Sequence, residues 1–331
     1  MKTEIPGIYE TVGKTRVLPV DFAEMVDIFL ARPPGIQWPW RELAKLNKID
    51  IGSITTIIAG TSHGKTSVAI SLALHFLSQD RRVLFWSGEM PPEVITVKML
   101  GLLAQTNLKA MARELSRYKA GEPTSAEIHK AIPIIKEYCK NLFIPPAWEL
   151  RESHEVLEFA DKVQPNVILV DYIQQLRPKK NKYRTRDEEI EKVMDDLNLF
   201  AISNSLPIIN FAQINREARN TEKPSLTCIR HSATIEQYSA NVIGIWNASM
   251  ARHEGSTPVI PPGWYWRDDS TATSQAVAVA ENKEKTLMEL IVLKSRYHGN
   301  VGKSVPLLFD GAIGTIQDLP EPTDLGKIVE L

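Results

Sequence analysis

Apolar residues in this chain come in short runs, each followed by a stretch in which they recur every three or four positions. Ile54-Thr55-Thr56-Ile57-Ile58 is β-branched throughout and predicts a buried strand; Ser67 to Leu77, just after it, carries helical spacing. The alternation continues. Strands are expected over 54–59, 82–87, 142–144, 167–171, 207–212, 242–246, 287–293 and 304–309, with helical periods notably at 92–105, 125–140, 153–163 and 187–204. Strands alternating with helices predict an α/β fold: a mostly parallel sheet with helices on both faces and ligands at the carboxyl ends of the strands. No helix separates 287–293 from 304–309, so these read as a C-terminal β-hairpin closing the sheet.

Residues 1–20 read as polar and irregular. Asp21 to Pro34 predicts a short amphipathic helix, with Phe22, Met25, Val26, Phe29 and Leu30 on one face and Pro33-Pro34 as its stop. It either packs on its own core or docks on a neighbouring subunit, because "PPGIQWPWREL" after it reads as a linker. The expected organisation is an arm over 1–34, one α/β domain over 35–320 and a tail over 321–331. His253 to Lys285, rich in Pro, Ser, Thr and Gly and without a period, reads as a long exposed insertion.

Composition narrows the classes. The 331 residues are 43% hydrophobic, enough for a sizeable core, and the net charge of −1 means that any nucleic-acid contact needs a local basic patch. Cys139 and Cys228 are the only cysteines and form no CxxC, which fits a reducing compartment and argues against a zinc site or disulfide frame. "MKTEIPGIYETVG" has no signal-peptide core, and no stretch has the roughly eighteen continuous apolar residues of a membrane span. A cytoplasmic protein without a membrane partner is expected.

Between the first strand and its helix lies "AGTSHGKTS": Ala59, Gly60, Thr61, Ser62, His63, Gly64, Lys65, Thr66 and Ser67. A Gly-containing strand-to-helix turn with Lys at the helix start holds phosphates, since backbone N–H groups converge there and the helix dipole favours an anion. Lys65 would reach β/γ-phosphates and Thr66 would bind Mg²⁺. The GxxxxGK[ST] pattern is met except for Ala59 at its first position. A tight connection with an exposed lysine is the plain alternative. Two further strands end in carboxylates, Glu89 after "RRVLFWSG" and Asp171 after "NVILV". Asp171 suits the metal and Glu89 the general base that polarises an attacking water. Gln213, ending a fourth strand, can bond a γ-phosphate and report its presence to the following loop.

The remaining chemistry is cationic. Lys294 and Arg296 stand two apart in "LIVLKSRYHGNVG", so on a strand they share a face. They are either a surface stripe or a pair completing a neighbour's site, because a phosphoryl-transfer transition state is stabilised by arginine supplied in trans. "YIQQLRPKKNKYRTRDEE", after Asp171, gathers Arg177, Lys179, Lys180, Lys182, Arg184 and Arg186; Arg216, Arg219 and Lys223 follow Gln213. Each run is either a solvated face or a funnel that tracks a single strand by its phosphates without reading sequence.

In this order the blocks resemble the RecA-like motor domain of the DnaB family of hexameric replicative helicases. The family's "AxPSxGKT" is similar to "AGTSHGKT", "FSLEM" to "WSGEM", "DYLQL" to "DYIQQL", "SQLNR" to "AQINR", "LRESGSIEQDAD" to "IRHSATIEQYSAN" and "KxRxGxxG" to "KSRYHGNVG", across about residues 35 to 318. The resemblance implies a RecA-like P-loop ATPase core using ATP and Mg²⁺, with Glu89 as catalytic glutamate and Lys294 and Arg296 acting across subunits of a homohexamer. It implies channel loops holding single-stranded DNA, Arg230 among the contacts, and hydrolysis coupled to unwinding in replication, with primase, a loader or other replication proteins as partners. The first 50 residues are too few for the family's N-terminal helical domain. A DnaB-like, nucleotide-controlled scaffold or helicase regulator is therefore the alternative, and a RecA/KaiC-type ATPase sharing only the core a more distant one.

Overall fold

The computed structural model describes residues 10–12, 15–17, 22–31, 35–179, 183–214, 223–228, 232–247 and 285–319. The expectations placed on Lys180, Lys182, Arg216, Arg219 and Arg230, on the tail, and on the 253–285 stretch up to Lys285 lie outside the described residues.

Strands β1 (Glu10–Val12) and β2 (Thr15–Val17) form a small antiparallel pair of their own, which corrects the reading of residues 1–20 as irregular. Helix α1 (Phe22–Ala31) follows as expected, with Val26 and Leu30 exposed. The stretch read as a linker is core. Ile36, Trp38, Trp40 and Leu43 are buried, Trp40 Nε1 donates to the Ile316 carbonyl, and a six-residue helix α2 (Arg41–Leu46) forms there. Prolines in "PPGIQWPWREL" suggested a spacer, but burying its two indoles outweighs that local signal.

The main sheet is built from β3 (Ile54–Ala59), β4 (Val83–Ser87), β5 (Leu142–Phe143), β6 (Val167–Asp171), β7 (Ile208–Gln213), β8 (Ser239–Asn247), β9 (Lys285–Ser295), β10 (Ser304–Asp310) and β11 (Thr315–Asp318). Their order is β11-β10-β9-β8-β3-β7-β6-β4-β5. Strands β8 to β5 in that order run parallel and the other three are antiparallel, so the expected closing hairpin is β9–β10, extended by β11. Helices α3 (Lys65–Ser78), α4 (Pro92–Leu103) and α6 (Ala126–Tyr138) pack on one face over Ile57, Phe85 and Phe211. Helices α7 (Ser153–Val163) and α8 (Arg186–Asn204) cover the other, over Ile58, Trp86 and Val170. In the parallel strands β3, β4 and β6 successive residues serve opposite faces and every position is buried, so they read as apolar runs without alternation, whereas β10 alternates. Truncating Phe85 or Phe211, each with no more than a trace of exposure, costs about 3–5 kcal/mol.

Besides α2, two helices escaped the sequence pattern: α5 (Leu108–Lys119), capped by Asn107 with Met111 alone fully buried, and α9 (Ser232–Tyr238). Strand β8 also starts earlier than expected, at Ser239. The parallel order places the carboxyl ends of β3, β7, β6 and β4 side by side, and the chemistry collects at that edge.

Candidate nucleotide site and nucleic-acid surface

The turn from β3 to α3 has the shape its sequence implies. Gly64 adopts a left-handed conformation (φ 94°) that calls for glycine, and a Cβ there would lie 2.6 Å from Met288 Cε, the flexible end of a side chain on β9. Helix α3 opens at Lys65 with no acidic residue in its first turn, leaving the dipole's positive end available to an anion. Gly60 and His63 are buried, Thr61 and Ser62 exposed, and Lys65, Thr66 and Ser67 half-buried. Lys65 Nζ donates to the Gly60 carbonyl at 3.4 Å and lies 6.0 Å from the Tyr172 ring centroid. Neighbouring strands brace the turn. Gln213 Nε2 donates to Thr61 Oγ1 at 2.7 Å, and the Asn247 N–H, at the end of β8, donates to His63 Nδ1 at 3.2 Å.

Asp171, at the end of β6, accepts from Thr66 Oγ1 at 3.0 Å through Oδ2. Its Oδ1 is buried without a hydrogen-bond partner among the described residues. Burial pushes its pKa up to about 6; the Thr66 bond and the charges of Lys65 and Lys98 oppose that rise, and Glu89 adds to it. A buried carboxylate oxygen and a hydroxyl 3 Å apart beneath a phosphate-type turn are the hard oxygen ligands that Mg²⁺ takes. Glu89 is exposed just beyond β4, and the N–H of Gly88 before it donates to the Asp171 carbonyl at 2.8 Å. Thus Glu89, Asp171, Thr66, Lys65 and Gln213 share one edge. Lys98 and Gln174 belong with them and were not singled out by sequence. Gln174 stood in the quoted "DYIQQL" block, but its role depends on where β6 stops.

Lys294 and Arg296 are elsewhere. Strand β9 runs antiparallel to β8, so its Met288 lies beside the turn while Lys294 lies six residues along, roughly 20 Å away at strand rise. Both side chains do share a face. Lys294 Nζ donates to the Glu236 carbonyl and Arg296 Nη2 to the Gln237 carbonyl at 3.3 Å, late in α9, where the helix dipole favours cations. Burial, and then the charge of Arg296, lowers the pKa of Lys294. Arg296 is exposed. Neither residue reaches the turn of its own chain.

The basic runs divide. Arg177 pairs with Glu189 at 2.9 Å, and Arg186 pairs with the same carboxylate while its Nη2 donates to the Gln174 and Leu176 carbonyls. Arg186, foremost, holds the Glu189 carboxyl below its ordinary value. Lys179 and the side chain of Arg184 are exposed. Lys223 turns inward: Nζ lies 2.9 and 2.8 Å from the two oxygens of Glu289, which has no exposed surface, and 5.0 Å from the centre of the Trp246 ring. A carboxylate taken out of water needs a counter-cation, so Lys223, its side chain still about a third exposed, is the counter-charge of Glu289.

Among the described residues no helix is long and apolar enough to cross a membrane. A replicative DNA helicase DnaB of Rickettsia conorii is 27% identical over 284 residues, covering 81% of this chain and 54% of that protein. A probable plasmid replicative DNA helicase of Chlamydia psittaci is 29% identical over 201 residues, 58% of this chain and 42% of its own length. The chain thus spans about half the length of the curated relatives it matches. The solved structure of a DnaB-like replicative helicase, reported with its interactions with primase, superposes with a TM-score of 0.69 at 19% identity, covering 91% of this chain and 69% of that one, so the α/β core has that fold. Residues 42–318 match the family model described as the DnaB-like helicase C-terminal domain, and the chain belongs to that family.

Proposed function

We propose that the chain is the ATP-hydrolysing motor of a homohexameric ring that moves on single-stranded DNA and separates duplex DNA in replication. The observation carrying this is the meeting of Lys65, Thr66, Asp171 and Gln213 around one strand-to-helix turn. Backbone N–H groups of the turn and the start of α3 receive phosphates, and Lys65 moves from Gly60 to the β/γ-phosphates. Thr66 and Asp171 would hold Mg²⁺, which supplies counter-charge to the phosphate oxygens when bound. Glu89, open to solvent at the neighbouring strand end, accepts the proton of the attacking water. Gln213 contacts the γ-phosphate from β7.

The roughly 20 Å between Lys294 or Arg296 and their own turn supports action on a neighbouring subunit, and hence nucleotide sites between subunits. Arg177, Lys179 and Arg184, with Lys180 and Lys182, are the proposed surface for a single strand; Arg216, Arg219, Lys223 and Arg230 are the second candidate set. Primase, named with the DnaB-like relative, a loader and other replication proteins are proposed partners, and the cytoplasm the proposed location.

A forked duplex with a labelled strand tests the reading. Strand release that requires ATP and Mg²⁺ and disappears in Lys65→Ala is expected; ATP hydrolysis without strand release supports the scaffold alternative. The trans assignment has its own check. Arg296→Ala and Lys65→Ala subunits, each inactive alone, regain part of the ATPase when mixed in one ring. No recovery in rings shown to be mixed counts against it.

A further inference from the structure

The hydrogen bonds at the nucleotide edge continue towards the basic segment through a residue with no role so far. Strand β6 pairs with β7 only as far as Asp171↔Phe211, while β7 runs on to Gln213. Gln213 therefore has a backbone neighbour in Ala59 on one side and none in β6 on the other. The side chain of Gln174 fills that place. Its Oε1 accepts from the Gln213 N–H at 3.2 Å, and its Nε2 donates to the Gln213 carbonyl at 3.2 Å. A primary amide can do both at once, adding one rung to the sheet. The backbone carbonyl of Gln174 is in turn held by Arg186, whose guanidinium shares Glu189 with Arg177. The connection thus runs from Thr61 through Gln213, Gln174 and Arg186 to Glu189 and Arg177.

We propose that Gln174 is a positioning residue that couples Arg177 and Arg186 to Gln213, so that a single strand engaging those arginines and nucleotide at the turn bind cooperatively. This rests on the nucleotide and DNA readings above. Arg177 and Arg186 share one carboxylate, so a phosphodiester arriving at the segment competes with Glu189 for them. Any shift of Arg186 moves the Gln174 carbonyl and, through the amide, the backbone of Gln213. A Gln174 that merely stiffens the turn would weaken both ligands without changing their coupling.

The test measures affinity for a fluorescein-labelled thymidine homopolymer by anisotropy, with and without Mg²⁺ and a slowly hydrolysed ATP analogue. The ratio of the two affinities is the coupling factor. A wild-type factor of about five or more is expected, falling to within about twofold of one in Gln174→Ala and in Arg186→Ala. The double variant should fall no further than either single one, because both cut the same connection. Gln175→Ala, which removes a 2.8 Å bond to Tyr172 Oη on the same turn, is the control for local disruption and should keep the wild-type factor. A wild-type factor in Gln174→Ala, an equal fall in Gln175→Ala, or additive falls in the double variant overturns the proposal. DNA binding by wild-type protein with a factor of one overturns the coupling alone; no DNA binding overturns the DNA reading itself.

Discussion

Asp171 and Glu289 are both carboxylates without exposed surface, and both sit in the same sheet, yet the fold treats them differently. Glu289 has the ammonium of Lys223 on both oxygens. Asp171 has one hydroxyl on one oxygen, and burial pushes its pKa up to about 6. Burying a charge is costly unless it is paired, and the fold leaves Asp171 with an oxygen that it does not satisfy at the edge of a phosphate-type turn. Glu289 is the structural counterpart, a charge whose partner the fold supplies. Adjacent rungs of the β8–β9 ladder make the contrast sharp. The Trp246↔Glu289 rung carries the satisfied pair, and the Asn247↔Met288 rung braces the nucleotide turn through His63 and Gly64.

The largest effects test the Asp171 side. Lys65→Ala and Asp171→Asn should each abolish ATP hydrolysis in a phosphate-release assay, and near wild-type turnover in either breaks the comparison at its root. They should differ in stability. The pKa of Asp171 is raised from its ordinary value, so the fold favours its neutral form; that favourable contribution is full at low pH and is lost as pH rises through about 6. Without nucleotide or Mg²⁺, Asp171→Asn should therefore melt above wild type at pH 8, and the gap should close as pH falls from 6 towards 4. An Asp171→Asn protein less stable at pH 8 would mean that the carboxylate is structural after all.

Glu89→Gln is next. Glu89 is exposed, so shape and stability are retained while the proton acceptor is lost. ATP should still bind, and turnover should fall by about 10²-fold or more. Loss of ATP binding together with turnover would make Glu89 part of the scaffold.

On the other side of the comparison, Lys223→Ala leaves Glu289 buried without its cation. Breaking a fully buried pair costs about 3–5 kcal/mol; with Lys223 about a third exposed, about 2 kcal/mol is expected in urea unfolding. Glu289→Gln in the same background should recover part of it. A Lys223→Ala protein of unchanged stability but weakened DNA binding would make Lys223 a DNA contact and not the structural partner of Glu289.

What could be read from the chain follows the same division. The turn at 59–67, Asp171 and Gln213 were legible because each sits in a local strand–turn pattern whose parts are adjacent in sequence. The Lys223–Glu289 pair spans 66 residues and a hairpin whose register no local signal states. Gln174 was present in a quoted block, but its double bond to Gln213 exists only because β6 stops two rungs short of the end of β7. Trp38 and Trp40 were misread since proline dominated their neighbourhood, and α5 was missed because Met111 is its one fully buried side chain. The central strands were read well, since burial on both faces makes them continuous apolar runs, a signal that needs no partner to interpret; β1, β2 and β11, three or four residues each, were not expected.

The smallest effect separates exposed cations from paired ones. Arg177 and Arg186 are committed to Glu189, whereas Lys179 is open to solvent. If Lys179, Lys180 and Lys182 follow one strand by its phosphates, each neutralised phosphate releases counterion, and the salt dependence of affinity has a slope of roughly −0.7 per contact on single strands. Replacing all three with Ala should shrink that slope by up to about 2 and lower affinity for a thymidine homopolymer at low salt. ATPase without DNA has no reason to change, because the segment lies outside the nucleotide turn. Binding should favour single strands over duplex and be nearly blind to sequence. The discriminating measurement is the slope, since a general loss of folding lowers affinity at every salt concentration and leaves the slope where it was. An unchanged slope and affinity in the triple variant would make this run a solvated face and move the DNA contact to Arg216, Arg219 and Arg230.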